Sequence, residues 1–262
     1  MDNTNRLLKA MTARGINRAI VMARPGVSND DVAKMATQHP DILAAQMRLG
    51  SDQQLSGYPA DPKNYREAAP DEISRCVEQF GVVGIGEIFI RSLTREVHPE
   101  LIADDLGPIV ERCIETDIPI AFPTGWSQWK GGLHYGNPTW VDELAGRYPH
   151  ARILLTKMGR GTVSIFDSVI AVTMRNANVY LDMTHTTPEH LTEAVHMLGA
   201  ARIMYGSDWS ATWQHLSAPN DVHGLALDIV QTANISNDDR NLILAGTARQ
   251  FFKLDAKWPT SL

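Results

Sequence analysis

Basic clusters, paired cysteines and long apolar runs are all missing from this chain. Net charge is −6 and no dense Lys/Arg block occurs, which removes the usual electrostatic footprint of nucleic-acid binding. The two cysteines, Cys76 and Cys113, stand alone without CxxC spacing. Neither a disulfide framework nor a zinc knuckle is expected from them; they read as small core residues of a reducing compartment. No apolar stretch approaches ~18 residues, and the start MDNTNRLLKAM has no apolar core segment. A membrane span and a secretory signal are therefore not expected, and the chain reads as cytoplasmic. Low-complexity segments and domain linkers are missing too.

What is present suits one globular unit. Of 262 residues, 44% are hydrophobic and 21% charged, enough for a full core. Short Val/Ile-rich runs recur at 16–23, 41–49, 81–90, 118–125, 151–159, 177–185 and 202–210. Such runs, continuous where a half-exposed strand would alternate, suit strands covered on both faces, which means a parallel sheet. Helical patterns lie between them. NDDVAKMATQH (29–39) opens with an Asn cap and early acids, and PDEISRCVEQFG (70–81) starts on Pro and stops on Gly. NPTWVDELAGRYP (137–149) puts Trp140, Val141, Leu144 and Tyr148 on one face, and SNDDRNLILAGTARQFFKL (236–254) is a capped terminal helix. Alternating strand and helix predicts an α/β domain over 1–262, either a closed barrel or a doubly wound sheet. Seven strand candidates are one short of the eight of a (β/α)8 barrel. The chain opens with a helix, RLLKAMTARGI, where a first strand would stand. A dinucleotide loop in GVVGIGEI carries little weight, because its glycines open no helix.

The segments YGNPTWVDELAGRYPHARILLTKMGRG, ANVYLDMTH, RIMYGSDWS and ILAGTARQFFKL occur in order. Together they resemble the amidohydrolase-related family, metal-dependent TIM barrels that include aminocarboxymuconate-semialdehyde and resorcylate decarboxylases. The resemblance runs from the first helix to the C-terminus. It implies a TIM-type (β/α)8 barrel lacking its first strand. In that family the first strand ends in a metal-binding His-x-His, and no such pair occurs here. Pro123, before Thr124-Gly125, and Lys157, before Met158-Gly159, stand where the family usually carries histidines. Asp208 in GSDWS matches the acid of the eighth strand. Glu87 in GIGEI matches a fourth-strand glutamate that bridges metals in some relatives.

In such a barrel the strand C-termini converge, so Lys157, Glu87 and Asp208 are expected to meet. The ammonium would then neutralise two acids in the place of a dication. The plainer reading is a surface lysine snorkelling out of the mouth. Loop histidines offer another route to a metal. A single zinc held by Glu87, Asp208, His134 and His185, with His215 as a further donor, is chemically reasonable; each of these histidines could equally be solvated or cap a helix. His190 and His196, on one helix, read as packing or surface residues. Trp126, Trp129, Tyr135, Trp140, Trp209 and Trp213 form a possible aromatic rim that stacks a flat substrate, or else buries loop surface or a subunit contact.

Two functions follow from the resemblance. The first is an accessory, non-catalytic subunit of a heteromeric metalloenzyme of the 2-aminoisobutyrate monooxygenase type, beside a larger amidohydrolase-related partner that carries the metals. The second is a stand-alone hydrolase or decarboxylase of small carboxylated or amide substrates. There Asp208 is the general base, and Lys157 or Arg160 grips a carboxylate beside Trp126 and Trp209.

Overall fold

The computed structural model describes residues 3–22, 27–49, 62–89, 97–127, 131–209, 221–255 and 257–258. Its elements run α1 (Asn3–Ala13), β1 (Ala19–Met22), α2 (Asn29–Gln38), β2 (Leu43–Gln46), α3 (Pro62–Phe80), α4 (Pro99–Glu115) and β3 (Ile120–Pro123). Then come α5 (Gly132–Gly136), α6 (Thr139–Arg147), β4 (Ile153–Thr156), α7 (Val163–Arg175), β5 (Val179–Asp182), α8 (Pro188–Leu198) and β6 (Ile203–Met204). α9 (Val222–Thr232), α10 (Asn237–Asn241) and α11 (Thr247–Phe251) close the chain. Among the described residues no helix is long and apolar enough to cross a membrane.

All strand pairs are parallel: β1 with β2, then β3 through β6 in sequence order. The expected strand at 81–90 is not a regular one, yet it fills the gap between the two sheets. Val83 donates to Ala45 and Gly86 to Met47, while Ile85 donates to Pro119 and Ala121 donates back to Ile85. Gly86 breaks the ladder at φ 128°, with Ala121 so close that a Cβ would meet its carbonyl oxygen at 2.6 Å. Among the described residues, seven parallel positions of an eight-stranded barrel are thus occupied, and none pairs β6 with β1.

Alternation along the strands separates two cores. Ile120, Phe122, Ile153, Leu155, Val179, Leu181 and Ile203 face the helices, meeting Ile109, Val141, Leu144, Phe166 and Val169. Ala44, Ala121, Leu154 and Met204 face inward and pack on Phe251, Phe252, Leu254 and Trp258. The C-terminal segment therefore plugs the barrel floor. Arg152 donates to the Phe251 carbonyl, Lys253 pairs with Asp117, and the Trp258 indole donates to Pro40. Phe251→Leu keeps the plug apolar but loses the ring that lies tilted against Tyr180 and edge-on to Phe252. It is expected to cost about 1–2 kcal/mol in urea unfolding; an unchanged midpoint would show the floor does not bear on stability.

Helix boundaries differ from expectation at informative places. Pro70 and Pro108 lie inside α3 and α4, where proline usually stops a helix. Ser28, not Asn29, caps α2, accepting from the Asp31 amide, while Asn29 is buried and bonds Arg48 and Glu72. The terminal helix is one run broken by a π turn at 242–246, entered through a capping box of Ser236 and Asp239. Cys76 and Cys113 are free and buried, as read from their isolation.

Candidate functional site

Strict alternation decides what can reach the mouth. Leu154 and Thr156 face inward along β4, so Lys157, the next residue, would ordinarily point out. Instead Lys157 has φ 72° and Met158 φ 38°, the left-handed region that non-glycine residues seldom adopt. This turn re-aims the lysine into the barrel. Thr124 braces it, its hydroxyl accepting from the Gly159 amide and donating to the Thr156 carbonyl. Arg160, His185 and Asp208 are also left-handed, at φ 51°, 60° and 50°. Backbone strain of this kind clusters at functional sites.

The re-aimed ammonium is buried, with 6% of the residue exposed. Lys157 Nζ lies 2.5 Å from Glu87 Oε1 and 3.4 Å from Asp208 Oδ2. Thr156 adds a hydroxyl donor to the same Glu87 oxygen. Burial would strip the Lys157 proton, but the charges of Glu87 and Asp208 more than offset this and raise its pKa. The snorkelling alternative is therefore not what the chain does.

Asp208 has a second partner, His185 Nε2, at 3.0 Å from Oδ2. Burial alone would push the Asp208 carboxyl up; the His185 hydrogen bond and the Lys157 and His185 charges bring it down to about 2. A carboxylate lowered from about 3.9 stabilises the fold fully above about pH 4 and loses that contribution as pH falls toward 2, roughly 2 kcal/mol in all. Wild type should lose about that much more stability than Asp208→Asn across this window in urea titrations. Parallel acid limbs would show that Asp208 is not held down.

Asp182, at the end of β5, was not among the residues singled out from sequence. It reads there as an ordinary strand-end acid, and only the period-two pattern of NVYLD could have placed it inward. Its Oδ1 accepts from the amides of both Lys157 and Thr184, each at 2.9 Å. Burial pushes its carboxyl up, although Lys157 and the two amides oppose this.

The remaining candidates lie around this centre or away from it. Arg160 stacks over Trp126 at 4.4 Å and donates to its carbonyl, and Trp126 is exposed. Trp209 lies parallel to His223 at 6.2 Å. Trp140 is buried edge-on against Phe122, so it belongs to the core and not to a rim. His134 lines a separate recess of about 320 Å³ with Val97, Pro99, Leu133, Asn137, Thr139 and Trp140. His190 stacks on Phe166, and His196 is exposed on the same helix. Trp129, Trp213 and His215 lie outside the described residues.

A dication does not fit this donor set. The ammonium already fills the space between Glu87 and Asp208. Among the described residues no group of three or more His, Cys, Asp or Glu could hold a metal ion.

Comparison with known proteins agrees with the barrel. A family model described as amidohydrolase matches residues 3–254. The γ-resorcylate decarboxylase of Polaromonas sp. (strain JS666) is 23% identical over 299 residues, covering 97% of this chain and 89% of that one. The crystal structure of 4-oxalomesaconate hydratase from Rhodopseudomonas palustris superposes with TM-score 0.70 at 16% identity, over 96% of this chain and 82% of that one. Dihydroorotase from Campylobacter jejuni gives TM-score 0.58 at 18% identity, over 97% and 80%.

Proposed function

The chain belongs to the amidohydrolase family, and from that premise we propose that it is a hydrolase or decarboxylase of small carboxylated substrates, with its site rebuilt around an ammonium. The observation that carries this reading is Lys157 Nζ held between Glu87 and Asp208. Family members typically depend on a metal at this mouth; here a single zinc on Glu87, Asp208, His185 and His134 would have to displace a buried cation. The relatives' names support the substrate class, since γ-resorcylate and 4-oxalomesaconate are both carboxylates.

His185 is the proton-transfer group. Asp208, at about 2, is a weak base at neutral pH, whereas His185 is the partly exposed nitrogen base in direct contact with it. Asp208 orients the ring and stabilises the imidazolium. In hydrolysis His185 takes a proton from the attacking water. In decarboxylation its imidazolium gives one to the carbon that loses CO2. Arg160 offers a planar fork for a substrate carboxylate, and the exposed face of Trp126 beside it suits a flat ring. Lys157 keeps Glu87 and Asp208 compatible at close range and so holds the dyad in place.

Assay of the purified chain against γ-resorcylate and a panel of small carboxylated lactones and amides tests this. Turnover is expected to survive exhaustive EDTA treatment. Activity that vanishes with EDTA and returns with zinc would end the metal-free reading.

A second reading, the accessory subunit with a larger amidohydrolase-related partner, is favoured by one observation. β1 pairs only with β2 among the described residues, and its Met22 is exposed beside half-buried Ile20 and Val21. An apolar edge with no further strand on it among the described residues invites association. A chain that sediments as a stable monomer and turns over substrate alone would argue against it.

A further inference from the structure

We propose that Asp182 is the positioning residue of this site: one of its carboxylate oxygens ties together the two strand-end turns that present Lys157 and His185. This rests on the functional reading above only for what the site is used for. The geometry stands by itself. Oδ1 takes the Lys157 amide at the end of β4 and the Thr184 amide at the end of β5, both at 2.9 Å. Each amide immediately adjoins a left-handed residue: Lys157 is itself at φ 72°, and His185 follows Thr184 at φ 60°. Neither conformation is favoured locally for a non-glycine residue, so something outside the turn must hold it.

The third strand end closes on the same group. A Cβ on Gly206, just past β6, would lie 2.3 Å from Thr184 Oγ1 and 3.2 Å from Asp182 Oδ2. Only a bare backbone passes there, two residues before Asp208. Three turns that carry the site's ammonium, imidazole and carboxylate are thus packed around a single side chain. Asp182 touches none of the groups assigned to proton transfer and acts through the backbone.

An uncharged asparagine can present its carbonyl oxygen to both amides, whereas alanine cannot. Asp182→Asn should therefore preserve the site, and Asp182→Ala should release it. Two readouts separate positioning from general stabilisation. A buried ammonium exchanges slowly enough to give a 15N signal at neutral pH; that of Lys157 (assigned by its absence in Lys157→Met) should persist in Asp182→Asn and disappear in folded Asp182→Ala. Amide exchange at Lys157 and Thr184 should accelerate by about 10- to 100-fold in Asp182→Ala, as loss of a hydrogen bond to a charged group implies. A folded Asp182→Ala with the ammonium signal and both amides unchanged overturns the proposal, as does Asp182→Asn behaving like Asp182→Ala. Should the alanine variant not fold, wild type alone decides: scalar coupling across both N–H···O bonds to Asp182 Cγ is expected, and its absence at either amide refutes the shared oxygen. None of these measurements needs turnover, so an inactive substrate panel would sink the functional reading and leave this one standing.

Discussion

His185→Gln should lower turnover by about 10²- to 10⁴-fold, the usual contribution of a positioned general acid–base group. Glutamine keeps a polar group near Asp208 but cannot carry a proton back and forth. His185 sits at the open end of the barrel, and its side chain is 34% exposed, against 8% for that of Lys157. It is the member of the cluster that both meets solvent and touches Asp208 Oδ2. The loss should fall mainly on kcat, because the ring acts as bonds are made and broken. Arg160→Lys should act instead on KM, since lysine lacks the bidentate fork. Undiminished kcat in His185→Gln would remove the dyad from the chemistry.

Lys157→Met is expected to cost about 3–5 kcal/mol in urea unfolding at neutral pH, the range found when one partner of a buried ion pair is removed. Methionine fills a similar volume, so little of the loss can be assigned to a cavity. What remains is Glu87, 11% exposed at its side chain, facing Asp208 without the intervening cation. Adding Glu87→Gln to Lys157→Met should recover part of the stability, because one of the unpaired charges is then gone. A loss below about 1 kcal/mol for Lys157→Met would place the ammonium in the class of surface pairs. The alkaline limb follows the same logic. The folded pKa of Lys157 is raised, so its contribution is full below about pH 10 and is lost as pH climbs through the folded value.

Strand positions were legible in the chain because burial on both faces demands continuous Val/Ile runs. Each of 16–23, 41–49, 118–125, 151–159, 177–185 and 202–210 contains an observed strand. The segment 81–90 was legible as sheet but not as irregular, since the close approach at Gly86 depends on a neighbouring strand. α4 is not legible in the sequence, where Gly107 and Pro108 interrupt the helical pattern. Its helix is held by the apolar face Ile102, Leu106, Ile109 and Val110, and packing on that scale outweighs a local penalty.

Composition and pattern fixed the parallel α/β class and the isolated core cysteines, because hydrophobic period and cysteine spacing are written in residue order; the nearness of Lys157, Glu87 and Asp208 followed from the family resemblance, which implies a barrel whose strand ends converge. The inward turn of Lys157, the tie through Asp182, the pairing of His185 with Asp208 and the C-terminal floor were decided only in three dimensions. Each depends on left-handed backbone or on contacts between segments far apart in the chain, and neither leaves a periodic trace in the sequence.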